Sequence, residues 1–274
     1  MEDKKNNKIV YLVLTIGASI MLVPFVWMIL TSFKTITETT QLDPFVILPS
    51  KWRLDAYESV MIRMDVILLY WNTIKFIFWR VVCALVTATL AGYAFARLNF
   101  RGKNIAFSLV LIQMMIPNQI FIIPQYQIVS KLGLLNTTFA LVFPGIVTAF
   151  GTFLLRQAFK SLPRDLEDSA KLDGCSIFQT FYYIMLPLVK SSLVALGIFT
   201  SLFAFKDLMW PLIVNVEQST MPLSSALAKL QGQYGSNYPE LMAASVFACI
   251  PMIIIYLIFQ KQFIEGIATS GGKL

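Results

Sequence analysis

The 274-residue chain contains no histidine. That absence removes imidazole metal ligands, the usual general acid or base near neutral pH, and any nucleophilic triad built on histidine. Cysteine is nearly as scarce. Cys83, Cys175 and Cys249 stand far apart with no CxxC spacing, so neither a zinc site nor a disulfide framework is indicated, and all three read as small packing residues. Charged residues make up only 14% of the chain, too few to cover a soluble domain of this size. No G-x-x-x-x-G-K-[ST] phosphate loop occurs, since RGKN at 101–104 lacks the required context. There is also no paired acidic motif of the kind a hydrolase would use.

What the chain has instead is apolar sequence: 57% hydrophobic residues, with a mean hydropathy of +0.70. A membrane-crossing helix needs about 20 apolar residues. Six stretches qualify or nearly so, beginning near Ile9, Tyr70, Ile105, Thr137, Leu188 and Leu241. The first, IVYLVLTIGASIMLVPFVWMIL, follows MEDKKNNK as a signal peptide would, yet its apolar run is too long and no small-residue cleavage site follows. It reads as a retained anchor over residues 9–31. The expected fold is therefore all-α, a polytopic membrane protein of six transmembrane helices.

Cations orient such a chain, because short cytoplasmic loops hold an excess of Lys and Arg. With a cytoplasmic N-terminus the inner loops hold Lys4, Lys5, Lys8, Arg97, Arg101, Lys103, Arg156, Lys160, Arg164, Lys171, Lys190, Lys261 and Lys273. The outer loops hold only Lys34, Lys51, Arg53, Arg63, Lys131 and Lys229. The bias puts both termini inside the cell. The net charge of +7 is thereby explained by membrane topology rather than by nucleic acid.

The third span is the most broken. LIQMMIPNQIFIIPQYQ carries Gln113, Asn118, Gln119, Gln125 and Gln127 around Pro117 and Pro124. Amides facing lipid are costly, so these residues either line a wet cavity or bond to neighbouring helices. Gln113, Asn118 and Gln119 are the pathway-lining candidates. Arg80, inside the second span, either faces a pathway or pairs with a carbonyl or an acid.

Between the fourth and fifth spans, on the cytoplasmic face, lies LEDSAKLDGCSIFQTFYYIMLPL at 166–188, too polar to span. Pro163 and the acids Asp165, Glu167 and Asp168 suit a helix N-terminus, where the helix dipole favours negative charge. Asp173-Gly174 suits its end. Ser176 and Gln179 have the spacing of a capping box that starts a second helix, along which Ile177, Phe181, Ile184 and Leu188 form an apolar stripe. A helix lying flat on lipid would carry Lys or Arg on its polar face, whereas LEDSAKLD is mostly acidic. Docking into another protein is the better reading.

These residues resemble a known pattern. D-S-A-K-L-D-G-C followed by I-M-L-P resembles the EAA motif, E-A-A-x-x-D-G-A with a downstream I-x-L-P, of the membrane subunits of bacterial ABC importers. Asp168, Ser169 and Ala170 stand at the E-A-A positions, Asp173 and Gly174 match directly, and Ile184, Leu186 and Pro187 match the tail. Asp replaces Glu at 168 and Ser replaces Ala at 169. AGYAFARLNFRGKN, LIQMMIPNQIFIIPQY, FGTFLLRQAFKSLPRDLEDSAKLDG and QKQFIEGIATSGGKL extend the likeness to the smaller permease of carbohydrate importers of the maltose-transporter type.

The resemblance implies one permease transmembrane domain over residues 1–274, with a core at 70–263 and a cytoplasmic tail at 264–274. It implies a coupling helix that enters an ATPase cleft through Asp168, Ser169, Ala170, Leu172, Asp173 and Gly174. The implied partners are a second homologous permease, two cytoplasmic ABC ATPase subunits and an extracytoplasmic sugar-binding protein. ATP and Mg would bind to the ATPase subunits, with no cofactor in this chain, which would itself be no enzyme. The location would be the bacterial cytoplasmic membrane. The outer loop from Pro211 to Glu240 would meet the binding protein, with Gln231, Tyr234, Asn237 and Tyr238 as contact candidates. The rival readings are an ABC permease for a non-sugar solute, such as a phosphate ester or amino acid, and an ion-coupled secondary transporter. The latter needs a mid-membrane carboxylate, and the only acid near a span is Asp207.

Overall fold

The computed structural model of the chain describes residues 2–233 and 237–271. Every regular element among them is helical. Three helices are long and apolar enough to cross a membrane alone, at Val10–Ser32, Val66–Arg97 and Tyr238–Gln260. Three bent pairs pass the same test together, so the count reaches six if each pair is one span.

In chain order the helices are α1 (Glu2–Ser32), α2 (Ile36–Thr40), α3 (Asp55–Arg63), α4 (Val66–Arg97), α5 (Lys103–Met115), α6 (Ile122–Lys131), α7 (Thr138–Val142), α8 (Ala149–Ser161) and α9 (Asp165–Leu172). They continue with α10 (Ile177–Leu188), α11 (Lys190–Lys206), α12 (Met209–Val214), α13 (Leu223–Gln233) and α14 (Tyr238–Gly271).

The bends follow from the sequence. α5 and the limb Asn118–Lys131, a short turn running on into α6, meet at 101°. Ile116 there is extended (φ −91°, ψ 126°), the conformation favoured before a proline, and Pro117 cannot donate to the α5 ladder. A tighter turn over Phe143–Gly145 continues α7, and the 51° bend to α8 falls at 146–148, where Thr148 is extended and caps α8. Val189 leaves helical geometry between α10 and α11, which meet at 74°.

The chain forms two compact units. The smaller holds residues up to Ile67 together with Ala226–Ile254. In it the Ser32 hydroxyl and Tyr57 Oη lie 2.7 Å apart, and Tyr57 meets Phe247 edge to face. Glu240, in the first turn of α14, is buried, accepts a hydrogen bond from Ser59 and has Arg63 at 3.6 Å. Thr35 and Glu38 form a capping box at the start of α2. Hydrogen bonds from the Ser50 hydroxyl and from the Thr35 and Ser50 amides hold the Glu38 carboxyl at about 2, well below the usual carboxylate range. Burial pushes the Lys34 ammonium below its ordinary value against the pull of nearby Glu38, while its Nζ donates to Val46 O at 2.7 Å.

The larger unit holds Leu68–Ser225 together with residues from Ile255 on. α4 and α8 approach closely because small residues line the crossing. A Cβ on Gly92 would lie 2.8 Å from Leu155 Cβ, and one on Gly151 would lie 3.0 Å from Ala88 Cβ. Around this crossing Tyr93, Leu155, Phe159, Phe181, Met185 and Leu196 form one buried apolar cluster.

Two expectations need correction. The segment from Pro211 to Glu240 is not an open loop, because it contains the end of α12 and all of α13. Leu223, Ala226 and Leu230 recur at helical spacing and are buried, a periodicity that its Ser and Gln residues obscure. In α10 the expected stripe is also out of phase. A π-type turn over Thr180–Met185 adds a residue, so Phe181, Met185 and Val189 are buried while Ile177 and Leu188 are exposed.

Candidate functional site

The larger unit holds a cavity of about 850 Å³. The broken third span supplies Gln113, Asn118, Gln119 and Gln125 to its wall, with the bend at Pro117 turning both limbs toward the same space. All three pathway candidates therefore share one cavity; Gln127 is exposed and is not in its lining. Thr148 and Trp210 also line the cavity, each with a bonding group engaged elsewhere. Thr148 caps α8 by accepting from Gly151 N, and the Trp210 indole donates to Ala140 O at 2.8 Å.

Charge enters from α4 and the end of α11. Arg80 Nη1 donates to Asp207 Oδ2 at 2.9 Å, and both side chains are mostly buried. Both residues line the cavity, so Arg80 faces the space and pairs with an acid at once. The arginine lies flat over a residue without a side chain, since a Cβ on Gly145 would come within 2.3 Å of Arg80 Nε. Beside this pair Lys206 is exposed on the cavity wall and has no ion-pair partner among the described residues. The arrangement offers hydroxyl-bearing solutes several amide donors and acceptors around one open space.

The second feature is α9 and the turn that closes it. α9 ends as the glycine position requires. Gly174 sits at φ +81°, Gly174 N donates to Lys171 O at 3.1 Å, and Cys175 N donates to Ala170 O at 2.9 Å. This is the double hydrogen bond of a left-handed helix cap. The Ser176–Gln179 capping box then starts α10 as expected. Of the coupling candidates, Ala170 is buried and packs inward, whereas Asp168, Ser169, Leu172, Asp173 and Gly174 are exposed. Leu172 is 89% exposed, with Ile177 and Phe178 also open nearby, an apolar tip on an otherwise polar helix. Asp168 pairs with Lys171 at 3.1 Å, but both side chains are about two-thirds exposed and the pair is weak.

Glu167, next to Asp168, carries a contact that sequence reasoning missed. Its Oε1 accepts from Tyr93 Oη at 3.1 Å, and its Oε2 lies 3.4 Å from Arg97 Nη1. Arg97 is almost fully buried and also donates to Phe159 O and Leu162 O, both at 2.6 Å. The partners stand some seventy residues apart in sequence, so only the dense run of acids at the start of α9 and the arginine closing α4 hinted at the pairing.

Of the outer candidates, Gln231 is exposed on α13, and Tyr238 is exposed at the start of α14. Asn237 is half-buried on a cavity of about 340 Å³ in the smaller unit, and its Oδ1 accepts from Glu240 N at 3.4 Å. Tyr234 lies outside the described residues.

Comparison with known proteins gives this geometry a context. Residues 84–268 match the family described as the binding-protein-dependent transport system inner membrane component. The chain is 36% identical to the arabinooligosaccharides transport system permease protein AraQ of Halalkalibacterium halodurans, over 98% of this chain and 99% of that one. It is 29% identical to the lactose transport system permease protein LacG of Rhizobium radiobacter, over 95% and 94% respectively. In fold it is similar to a chain in the crystal structure of a bacterial ABC transporter involved in the import of the acidic polysaccharide alginate. The TM-score is 0.78 at 24% identity, covering 95% of this chain and 97% of that one.

Proposed function

The chain belongs to the family of binding-protein-dependent transport system inner membrane components, and we propose that within it this subunit forms half of the translocation pathway of an ATP-driven carbohydrate importer. It is a multi-pass protein of the cell membrane, its curated relatives are transport permease subunits, and it works with other components of an ABC importer. The carbohydrate assignment rests on relatives named for arabinooligosaccharide and lactose transport.

The observation that carries the mechanism is that one compact unit holds both an amide-lined cavity and an exposed, glycine-closed helix. Sugar hydroxyls both donate and accept, and Gln113, Asn118 and Gln119 can do the same without holding the solute by charge. In our reading α9 enters a cleft on a cytoplasmic ATPase subunit, with Leu172 as its apolar tip and Asp168 at the rim. Two such ATPase subunits bind ATP and Mg and hydrolyse the nucleotide. When they close, α9 moves with them and the attached spans rock between inward-open and outward-open states. A second, homologous permease completes the pathway, and an extracytoplasmic sugar-binding protein delivers the solute near Gln231, Asn237 and Tyr238. In this reading both termini and α9 lie on the cytoplasmic side, which the distribution of cations among the loops supports. The ion-coupled alternative needs a carboxylate free to take up the ion, and Asp207, the acid near a span, is engaged by Arg80.

The test is uptake into proteoliposomes that contain the assembled importer, with labelled arabinotriose and lactose as probes. Uptake that requires internal ATP and is blocked by vanadate is expected. Uptake driven by a proton or sodium gradient without ATP would overturn the assignment.

A further inference from the structure

We propose that Glu167 is a positioning residue that latches α9 to α4, so that displacement of α9 reaches the cavity wall through α4 as a rigid rod. This inference rests on the coupling role given to α9 above and names the residue through which that role is exercised. The exposed residues Asp168 and Leu172 can touch a partner, but neither ties α9 to a span. Glu167 points the other way, into the protein. Its two oxygens are divided between Tyr93 and Arg97, one helical turn apart on α4. Arg97 extends the same node to the end of α8 through the Phe159 and Leu162 carbonyls. Three elements are thus clamped at a single, nearly buried guanidinium.

α4 is suited to carry the motion onward. It is one unbroken helix from Val66 to Arg97, unlike the three bent pairs of this unit. Arg80, on the cavity wall, and Tyr93, at the node, lie about 20 Å apart along it at 1.5 Å per residue. Between them Ala88 and Gly92 lie so close to Gly151 and Leu155 of α8 that a Cβ on either glycine would meet the other helix. A shift at Glu167 therefore reaches Arg80 and its partner Asp207 without passing through a hinge. Were Glu167 merely a solubilising acid in the first turn of α9, it would lie exposed as Asp165 and Asp168 do.

The experiment uses the assembled importer in nanodiscs, with the native cysteines replaced and spin labels at Asp165 on α9 and Leu90 on α4, both exposed. In the unaltered chain the inter-label distance should be the same without nucleotide and with ATP and vanadate, because both helices move together. Glu167→Gln removes the ion pair at nearly constant shape. It should make that distance nucleotide-dependent and cut substrate uptake per ATP hydrolysed at least several-fold, with arabinotriose as the uptake probe. Tyr93→Phe should produce a weaker form of the same change. Co-purification of the ATPase subunits reports assembly for each variant. An invariant distance in Glu167→Gln, or a distance that already changes with nucleotide in the unaltered chain, overturns the latch. The coupling reading fails separately if nucleotide leaves the labelling rate of native Cys175 unchanged in the otherwise unaltered importer, and the latch then fails with it.

Discussion

Substitution of Gly174 separates two reasons for its presence. Its φ of +81° is one that side chains with a Cβ rarely adopt, yet a Cβ built there meets nothing within 4 Å. Within this chain the cost of a substitution is therefore conformational and not steric. For alanine the left-handed conformation costs about 1–2 kcal/mol. Asparagine tolerates it better because its side chain can bond locally, and a β-branched residue tolerates it worst. A penalty of one or two kcal/mol shifts a local equilibrium by about 5- to 30-fold. It should fall on the bonds that close the helix, from Cys175 N to Ala170 O and from Gly174 N to Lys171 O. The expected order of impairment is thus Gly, Asn, Ala, Val, from least to greatest. Amide exchange at Cys175 should accelerate in that order by about 5- to 30-fold for alanine, and uptake per ATP hydrolysed should fall in parallel. A series ordered by size, with alanine milder than asparagine, would refute this reasoning and assign the glycine to close contact with a partner surface instead.

Other consequences are independent of that turn. Arg80→Gln leaves the Asp207 carboxylate without its ion pair in a mostly buried place, at a cost of roughly 2 kcal/mol, below the 3–5 kcal/mol of a fully buried pair. Thermal denaturation in detergent should show the loss, and adding Asp207→Asn should recover part of it. Gly92→Leu drives a side chain into Leu155 and the Arg156 backbone, a misfit of about 1–3 kcal/mol that should lower the denaturation temperature and the yield of assembled importer. The Glu38 carboxyl is depressed from 4.5 to about 2, so its contribution to the loop is full above the unfolded value and is lost as pH falls through about 2. Because the group is partly open to water, that contribution is about 1 kcal/mol. Amide exchange at Thr35 and Ser50 should rise across this window beyond its intrinsic trend, and Glu38→Gln should remove the rise.

The sequence is most legible where local chemistry decides structure. The end of α9 at Asp173-Gly174, the Ser176 capping box and the break at Pro117 each depend on a few adjacent residues, and each occurs where the local pattern places it. The gathering of Gln113, Asn118 and Gln119 on one wall was half legible, because amides in an apolar span must face either water or a neighbour. Arg80 and Asp207 were visible singly but not as a pair, since their meeting depends on how α4 packs near the end of α11. Glu167 was hidden for the same reason. The phase of α10 escaped because a π-type turn leaves no reliable mark in the hydrophobic pattern, and α13 escaped because Ser and Gln fill its polar face.

The coupling role of α9 can be tested most directly by contact. A photo-activatable cross-linking residue in place of Leu172, at the exposed tip of the helix, should form an adduct with the ATPase subunit of the assembled importer. The yield should change when ATP and vanadate replace nucleotide-free buffer. An ATPase that co-purifies with the chain yet forms no adduct from this position would contradict the account.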